Sequence, residues 1–370
     1  PRQRSGTLAE YANWLSRVLL AQQFANQHLV SLDVPPWRTA AIRMVSRVLR
    51  PSIDDIEIKA PIFIVGTPRC GSTMMQEILS CHERVAYVTH AMDSARDPRT
   101  FYATELLRKR LKLDVEGERY LKDSIIVNAG TPAEAMRFWA EALKLDPFAL
   151  TWPEQTLDDF TPEDIEHIYF YIKHVINCFR DRGGDRFLNK SPALLTVVPL
   201  VAELFPDARF IYLVRDGRQV ANSLIKLYRR QREQDIKVNH PMFKDQPFIP
   251  YPRVNGLEQA IETWGAEDLR TTSHIWNESI DYMDRIKSSI PHLMEVRYED
   301  VLAEPQAVVG QILEFCELGE PEQPGAKAAF DARMAKVGRV SHVNQYSGFE
   351  IVESIAGENL KRYGYCDSSS

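Results

Sequence analysis

The hydrophobic positions of this chain form short apolar runs that alternate with longer stretches of helical periodicity. Residues 61–65 and 208–214 are largely apolar and rich in β-branched and aromatic residues, which is typical of strands buried on both faces of a parallel sheet. Shorter runs at 186–188 and 293–297 predict two further strands. Helical spacing occupies the intervals, at 133–145, 162–182, 192–204, 256–288, 305–317 and 323–336. Together these elements predict a three-layer α/β fold, in which helices flank a central parallel sheet and ligands bind at the carboxyl ends of its strands.

The pattern also predicts how the chain is divided. Apolar residues at helical spacing, among them Leu8, Tyr11 and Leu15, predict a helical N-terminal arm over residues 1–57. The remaining residues, 58–366, are expected to form one large domain. Within it we expect a helical insertion at about 91–180. A lid-like loop is expected at about 235–256, which holds four prolines and lacks a helical period.

Composition narrows the class of protein. The chain has 370 residues, with 45 Lys and Arg against 51 Asp and Glu, and its net charge of −6 argues against a nucleic-acid partner. It lacks an apolar run of the roughly 18 residues that a membrane span needs, and Pro1 to Gly6 lack the apolar core of a secretion signal. Five scattered cysteines without metal-ligand spacing predict reduced thiols in a cytoplasmic protein with no metal site.

The first strand leads into a glycine-bounded loop and then into a helical pattern. The loop reads Gly66-Thr67-Pro68-Arg69-Cys70-Gly71-Ser72-Thr73. Its glycine spacing is that of a phosphate-binding loop, GxxxxGK[ST], but Ser72 stands where the lysine would be and the positive charge lies at Arg69. Such a loop can hold a phosphate-like anion through backbone N–H groups, hydroxyls and a guanidinium.

Residues 67–73 resemble the 5′-phosphosulfate loop of sulfotransferases that use 3′-phosphoadenosine 5′-phosphosulfate (PAPS). A second segment, Arg215-Asp216-Gly217-Arg218-Gln219-Val220-Ala221-Asn222-Ser223, resembles the motif of that family that binds the 3′-phosphate, with Arg215 and Ser223 at the two binding positions. A guanidinium and a helix hydroxyl are suitable donors for a phosphate. Both motifs occur in the order that the family has.

Three further segments agree with the resemblance. Asn189-Lys190-Ser191-Pro192 resembles the lysine-bearing segment of the tyrosylprotein and bacterial sulfotransferases. Arg297-Tyr298-Glu299-Asp300 resembles a segment whose Tyr lies near the adenine, and residues 360–365 resemble the end of the family's domain. The resemblance therefore implies a P-loop-like fold and covers residues of about 58 to 366.

The resemblance implies an in-line transfer of a sulfuryl group from PAPS to a hydroxyl, or to an amine, with release of adenosine 3′,5′-bisphosphate. Arg69 is expected to neutralise the transferring group and Lys190 to stabilise the leaving oxygen. In the tyrosylprotein branch a carboxylate follows the loop Arg by 21 residues, and the same count from Arg69 leads to His90, which we take as the base. Imidazole suits this role at neutral pH. Asp93, one helical turn later, is the second candidate. The residues expected to bind the cofactor are Thr67, Pro68, Arg69, Cys70, Gly71, Ser72, Thr73, Arg215, Ser223 and Tyr298.

The acceptor is the least defined part of this hypothesis. The insertion and the lid-like loop would line its pocket, and aromatic residues such as Phe243, Phe248 and Tyr251 are typical either of an apolar acceptor site or of ordinary core packing. With the resemblance, an apolar site implies a small or lipid-like hydroxylated acceptor. A homodimer remains open. Two other functions also remain open, a P-loop kinase that requires Mg²⁺ and a nucleotide-binding module without catalysis.

Overall fold

The computed structural model describes most of the chain, with several gaps near the N-terminus and further gaps later in the chain. The described residues are 10–11, 14, 29–31, 36–49, 51–113, 115–118, 126–146, 149–233, 237–239, 252–338 and 346–366.

Five parallel strands form the central sheet. In chain order they are β1 (Ile62–Gly66), β2 (Val85–Tyr87), β3 (Arg186–Lys190), β4 (Arg209–Val214) and β5 (Leu293–Arg297). Their spatial order is β5-β4-β1-β3-β2, and every pair is parallel. The four strands predicted from sequence are confirmed. The fifth, β2, is a three-residue edge strand whose pattern is too short to stand out.

Alternate residues of the strands face two separate cores. On β1, Phe63 and Val65 join the larger core, where Phe63 stacks on Phe210 of β4 with ring centroids 5.5 Å apart. Ile62 and Ile64 face the opposite side and pack against a second core under other helices. A sheet covered on both faces needs apolar residues at every position, which explains the continuous runs in the sequence. The three-layer α/β fold is therefore confirmed.

Helices cover both faces of the sheet and build the insertion. They are α1 (Pro36–Leu49), α2 (Ser72–Leu79), α3 (His90–Ala95), α4 (Phe101–Leu111), α5 (Met136–Ala142), α6 (Pro162–Asn177), α7 (Val198–Leu204), α8 (Gly217–Glu233), α9 (Leu257–Trp264), α10 (Leu269–Ile286), α11 (Tyr298–Ala303), α12 (Pro305–Phe315), α13 (Pro324–Met334) and α14 (Phe349–Arg362). Within the described ranges, no helix combines the length and apolarity needed to cross a bilayer.

Three local expectations differ from the structure. The helix predicted over 256–288 is two helices, α9 and α10, because Gly265 has a φ of +88° and ends the first. Tyr11, expected in a helix, lies in the two-residue strand Glu10–Tyr11, which pairs antiparallel with residues 115–116. The insertion at 91–180 is likewise not wholly helical, because Val115–Glu118 and Ile126–Asn128 pair as strands. Most of the lid-like loop at 235–256 lies outside the described residues.

The strand order determines where a ligand can bind. The chain leaves β1 toward the β3 and β2 side of the sheet and later returns to fill the β4 and β5 side. Crevices open at such a change of direction, beyond the carboxyl ends of the strands. The loop that follows β1 therefore lies in the middle of the edge where a ligand is expected.

Candidate active site

The residues that the sequence singles out lie at the carboxyl ends of the five strands. The 66–73 loop begins at the last residue of β1, and Lys190 is the last residue of β3. Arg215 directly follows β4, and Tyr298 directly follows β5. His90 comes three residues after β2. Because all five strands are parallel, these residues meet at one edge of the sheet.

The loop after β1 is held in a conformation that its sequence requires. Gly71 has a φ of +98°, and a Cβ there would lie 2.4 Å from the ring of Tyr298. Arg69 has a φ of +75°, a region that residues other than glycine seldom occupy. Cys70 N–H donates to the Thr67 carbonyl at 3.2 Å, which closes the turn between them. Strained backbone of this kind persists where the surrounding structure holds it, and it is common at ligand sites.

Helix α2 begins directly after the loop. Gly71 occupies its N-cap position and provides no side chain that could bond the first N–H groups of the helix. Thr67, Pro68 and Ser72 are buried, and Thr73 is half-buried. The loop that contains Arg69 thus also holds three hydroxyls and leads into the positive end of a helix, as an anion site requires.

Cys70 lies inside the loop and is fully buried. Burial raises the pKa of its thiol, so the thiol form is favoured. We therefore assign Cys70 a packing role, in which its side chain fills the space beneath the loop beside Gly66.

The two nucleotide motifs are in direct contact. Arg69 Nε donates to Ser223 Oγ at 3.0 Å, and Arg215 Nη1 donates to the Arg69 carbonyl at 3.1 Å. The guanidinium of Arg215 lies 4.5 Å from the centre of the Tyr298 ring, a cation–π contact. The residues expected to bind the 5′ and 3′ groups of one nucleotide therefore form one continuous cluster.

Two residues that the sequence analysis missed support Arg215. Trp276 of α10 is fully buried and donates its indole N–H to the Arg215 carbonyl at 3.0 Å. A Cβ on Gly217 would lie 2.6 Å from the same indole, so the 215–217 turn rests on Trp276. On the other side, Glu299 accepts the Asp216 N–H at 3.1 Å and the Tyr365 hydroxyl at 2.9 Å. The sequence gives no sign that Trp276 supports Arg215, because a buried aromatic residue in a helix is usually part of the core.

Lys190 is buried and paired with a carboxylate. Its side chain is only 3% exposed, and its ammonium group forms an ion pair with Glu134. The neighbouring Asn189 fixes this arrangement: its amide donates to the Glu134 carbonyl at 3.2 Å and accepts from the Trp139 indole at 3.1 Å. Lys190 is therefore not a solvent-exposed surface lysine. Glu134 was not identified from the sequence, because it lies 56 residues from its partner.

His90 is the first residue of α3, and its backbone N–H donates to the Thr131 carbonyl at 3.1 Å. This bond, with Ala133 N–H to the Val88 carbonyl at 2.8 Å, brings the segment that carries Glu134 alongside the segment that carries His90. The two come from distant parts of the chain and meet only in the fold.

Asp93, one turn into α3, lies within electrostatic reach of the same region. Desolvation by the surrounding protein raises the pKa of its carboxyl, more than Arg137 and Arg96 lower it. Glu134 and Glu141 add to the upward shift. A carboxyl with a raised pKa is a better proton acceptor than an ordinary one.

Three other histidines, His82, His167 and His174, have structural surroundings. Buried His82 follows α2 and accepts the Arg84 N–H at its Nδ1, at 3.1 Å. His174 of α6 is buried with its ring edge-on to Phe170, and His167 lies on the same helix near Phe138. In the part of the chain that the structure describes, no three His, Cys, Asp or Glu side chains are grouped as a metal site would need. All five cysteines are free thiols.

Comparisons with known proteins agree with this geometry. A family model described as "Sulfotransferase family" matches residues 61–241, which run from β1 past Ser223. Omega-hydroxy-beta-dihydromenaquinone-9 sulfotransferase Stf3 from Mycobacterium tuberculosis is 24% identical over 325 residues, which cover 82% of this chain and 75% of that protein. Protein-tyrosine sulfotransferase from Drosophila melanogaster is 24% identical over 260 residues, which cover 70% of this chain.

The extent of these similarities differs. The chain spans 38% of the Drosophila enzyme and 26% of a further relative from Aquifex aeolicus. Among solved structures, sulfotransferase STF9 from Mycobacterium avium has a TM-score of 0.53 at 17% identity and covers 97% of this chain and 88% of its own. At that identity, the structural similarity supports the fold alone.

Proposed function

This chain belongs to the sulfotransferase family, and from that premise we propose that it transfers the sulfuryl group of PAPS to a hydroxyl of a small or lipid-like acceptor, or to an amine. Adenosine 3′,5′-bisphosphate is released. One observation carries the proposal: Arg69, Ser223, Arg215 and Tyr298 form one contact cluster around a phosphate-type loop. Lys190 lies on the adjacent strand.

We assign the two ends of the donor to two parts of this cluster. The loop hydroxyls of Thr67, Ser72 and Thr73, with Arg69, would bind the 5′-phosphosulfate. Arg215 and Ser223 would bind the 3′-phosphate. The side chain of Arg69 contacts Ser223, and the backbone carbonyl of Arg69 contacts Arg215. The donors proposed for the 5′-phosphosulfate are therefore in direct contact with those proposed for the 3′-phosphate.

Tyr298 and the loop backbone complete the donor site. The ring of Tyr298 packs against Gly71 and lies under the guanidinium of Arg215. It therefore provides an aromatic surface next to Arg215, which we propose binds the 3′-phosphate. We assign it to contact the adenine. Cys70, Pro68 and Gly71 contribute the shape of the loop.

In the transfer step, the acceptor oxygen forms a bond to sulfur while the bond from sulfur to the bridging phosphate oxygen breaks. Arg69 would neutralise the sulfuryl oxygens, and Lys190 would stabilise the charge that develops on the leaving oxygen. His90 would take the proton of the acceptor hydroxyl. Asp93 is the alternative base, supported by the raised pKa of its carboxyl.

Glu134 is assigned as a positioning residue for Lys190. Its carboxylate holds the ammonium group at the end of β3, and its backbone is held by Asn189. A lysine fixed in this way loses less conformational freedom when the leaving group arrives. We expect Glu134 to affect the chemical step rather than donor binding.

The acceptor assignment rests on the relatives. Stf3, with the hydroxylated menaquinone in its name, matches most of this chain and most of its own length. The protein-tyrosine sulfotransferases match a smaller share of theirs. We therefore assign a small or lipid-like hydroxylated acceptor rather than a protein tyrosine.

The experiment that tests the donor is calorimetric titration with adenosine 3′,5′-bisphosphate, with and without Mg²⁺, beside ATP. We expect the bisphosphate to bind equally well in both conditions and ATP to bind much more weakly, because Ser72 replaces the lysine that kinases use. Binding of ATP with Mg²⁺, and none of the bisphosphate, would overturn the assignment in favour of a kinase. Bisphosphate binding without turnover of any hydroxylated acceptor would favour a nucleotide-binding module.

A further inference from the structure

Helix α1 presents apolar side chains to solvent along its whole length. Trp37 is 55% exposed, Met44 is 66% exposed and Val48 is 84% exposed, and Ala41 is exposed between them. The spacing 37, 41, 44, 48 places the four on one face of the helix. The opposite face carries Ser46, which is buried and bonds back to the Ile42 carbonyl. Ile42 and Val45 are half-buried, so the helix has an inward apolar side and, in addition, this apolar face directed toward solvent.

The charge of α1 has one sign. Its 14 residues include three arginines and no Asp or Glu, although the whole chain has a net charge of −6. Arg43 and Arg47 are both exposed, and Arg47 is the nearer of the two to the apolar face. Arg43 Nε donates to Asp97 at 3.2 Å, and Arg47 adds a second exposed positive charge one turn later. An apolar stripe bordered by arginines is typical of helices that lie at a membrane surface.

A groove extends the apolar surface from α1 to α4. It has a volume of about 500 Å³ and is lined mainly by Val48, Leu49, Tyr102, Leu106 and Leu107, with Arg110. Arg110 and its neighbour Lys109 are both exposed at the C-terminal end of α4. The groove thus combines apolar walls with positive charge, which matches a lipid with an anionic headgroup.

We propose that α1 and this groove bind the surface of an anionic lipid bilayer. The apolar stripe would enter the boundary between headgroups and acyl chains, with the helix axis parallel to the surface. Arg47, Lys109 and Arg110 would face the anionic headgroups. In a two-fold dimer this face would meet its own positive charges, whereas an anionic bilayer offers the opposite charge, so the charge of the face favours a lipid surface.

The position of this surface relates it to the active site. Helix α4 packs against α1 on one side and against α3, which begins at His90, on the other. A bilayer bound at α1 would therefore be separated from the helix that begins at His90 by α4. The binding itself does not depend on the proposed function.

The proposal is tested by sedimentation of the full chain with vesicles of phosphatidylcholine alone or mixed with phosphatidylglycerol. We expect binding to the mixed vesicles, and weaker binding as salt is added. Met44→Glu/Val48→Glu should lower the affinity by about tenfold or more, because it places charge in the apolar stripe. Ile351→Glu, at an exposed apolar position of α14, is the matched control and should bind like the wild type.

Two results would overturn the proposal. One is equal binding of the wild type and Met44→Glu/Val48→Glu to the mixed vesicles. The other is failure of the wild type to bind them; if sedimentation velocity then shows a dimer that Met44→Glu/Val48→Glu separates, the face belongs to a second copy. Affinity for adenosine 3′,5′-bisphosphate, measured on each variant, verifies that the protein is folded, because the nucleotide cluster lies on other elements.

Discussion

The two halves of the active-site edge hold their charged residues in different ways. On the β1, β4 and β5 side, the contacts of Arg69 and Arg215 are with a hydroxyl, a carbonyl and an aromatic ring. On the β2 and β3 side, Lys190 forms an ion pair with Glu134, and Asp93 lies near Arg137 and Arg96. The first half thus presents two guanidinium groups beside a hydroxyl and an aromatic ring, and the second contains a buried ion pair of lysine and glutamate.

This difference matches what each half is proposed to do. A nucleotide with two phosphate groups brings negative charge of its own, which suits a site where guanidinium groups, hydroxyls and a helix N-terminus lie together. Proton transfer and leaving-group stabilisation instead require groups whose protonation can change or whose position is fixed. Mutations in the first half should therefore change donor affinity, and mutations in the second should change turnover.

The largest effect is expected on the catalytic side, from His90→Ala. Removal of the base should lower kcat by about 10²–10⁴ while affinity for adenosine 3′,5′-bisphosphate stays the same. Steady-state turnover with PAPS and calorimetry on the same preparation measure both. If His90→Ala keeps the wild-type kcat and Asp93→Asn loses activity, the base is Asp93. If both keep it, neither residue is the base.

A slightly smaller loss is expected from Lys190→Met. Without the ammonium group, the leaving oxygen loses one stabilising donor, and kcat should fall by about 10²–10³. Glu134→Gln keeps the shape of the partner but removes its charge, and it should reduce kcat less and alter the pH profile of kcat. Equal bisphosphate affinity in all three proteins would support the separation of the halves. A large loss of affinity in Lys190→Met would mean that Lys190 belongs to the donor site.

The nucleotide half is tested by Arg215→Ala. Loss of one charged donor to a phosphate should weaken bisphosphate binding by about 1.5–3 kcal/mol. Arg229→Ala, at an exposed position on the same α8 helix as Ser223, is the matched control and should not change the affinity. Unchanged affinity for the bisphosphate in Arg215→Ala would mean that Arg215 does not bind the 3′-phosphate.

The half that we propose binds the nucleotide was also the easier one to recognise in the sequence. Its residues lie on contiguous segments, because a loop that wraps an anion needs glycines, hydroxyls and a guanidinium at short fixed spacings. Burial on both faces made the strands that position these segments visible as apolar runs. The supporting contacts were not visible: Trp276 and Glu299 contact the 215–217 turn from 61 and 83 residues away.

The catalytic half could be predicted only in part. Lys190 and His90 were identified from resemblance to a family, whereas Glu134 carries no local pattern and meets Lys190 only through the fold. The edge strand β2 has three residues, too few to establish a period of two. The expectation that the insertion is helical was wrong at two short strands, Val115–Glu118 and Ile126–Asn128. These strands pair with each other, and the first also pairs with Glu10–Tyr11. Pairing between distant segments leaves no local pattern in the sequence.

The smallest effect, and the one that distinguishes the halves without an activity assay, concerns stability. The pKa of Asp93 is raised above its ordinary value of 3.8 mainly by desolvation. Between the ordinary and the raised value the folded protein binds a proton that the unfolded chain has released, so the free energy of unfolding falls as pH rises through that window. Above it, Asp93 is ionised in the folded state at a cost that Asn does not have. Asp93→Asn should therefore be more stable than the wild type at neutral pH and approach it as pH falls toward 4. Urea unfolding of both proteins across this pH range measures the difference in the free energy of unfolding, and Asp158→Asn, at an exposed position, is the control. A difference that does not change with pH would mean that the ionisation of Asp93 is not linked to folding.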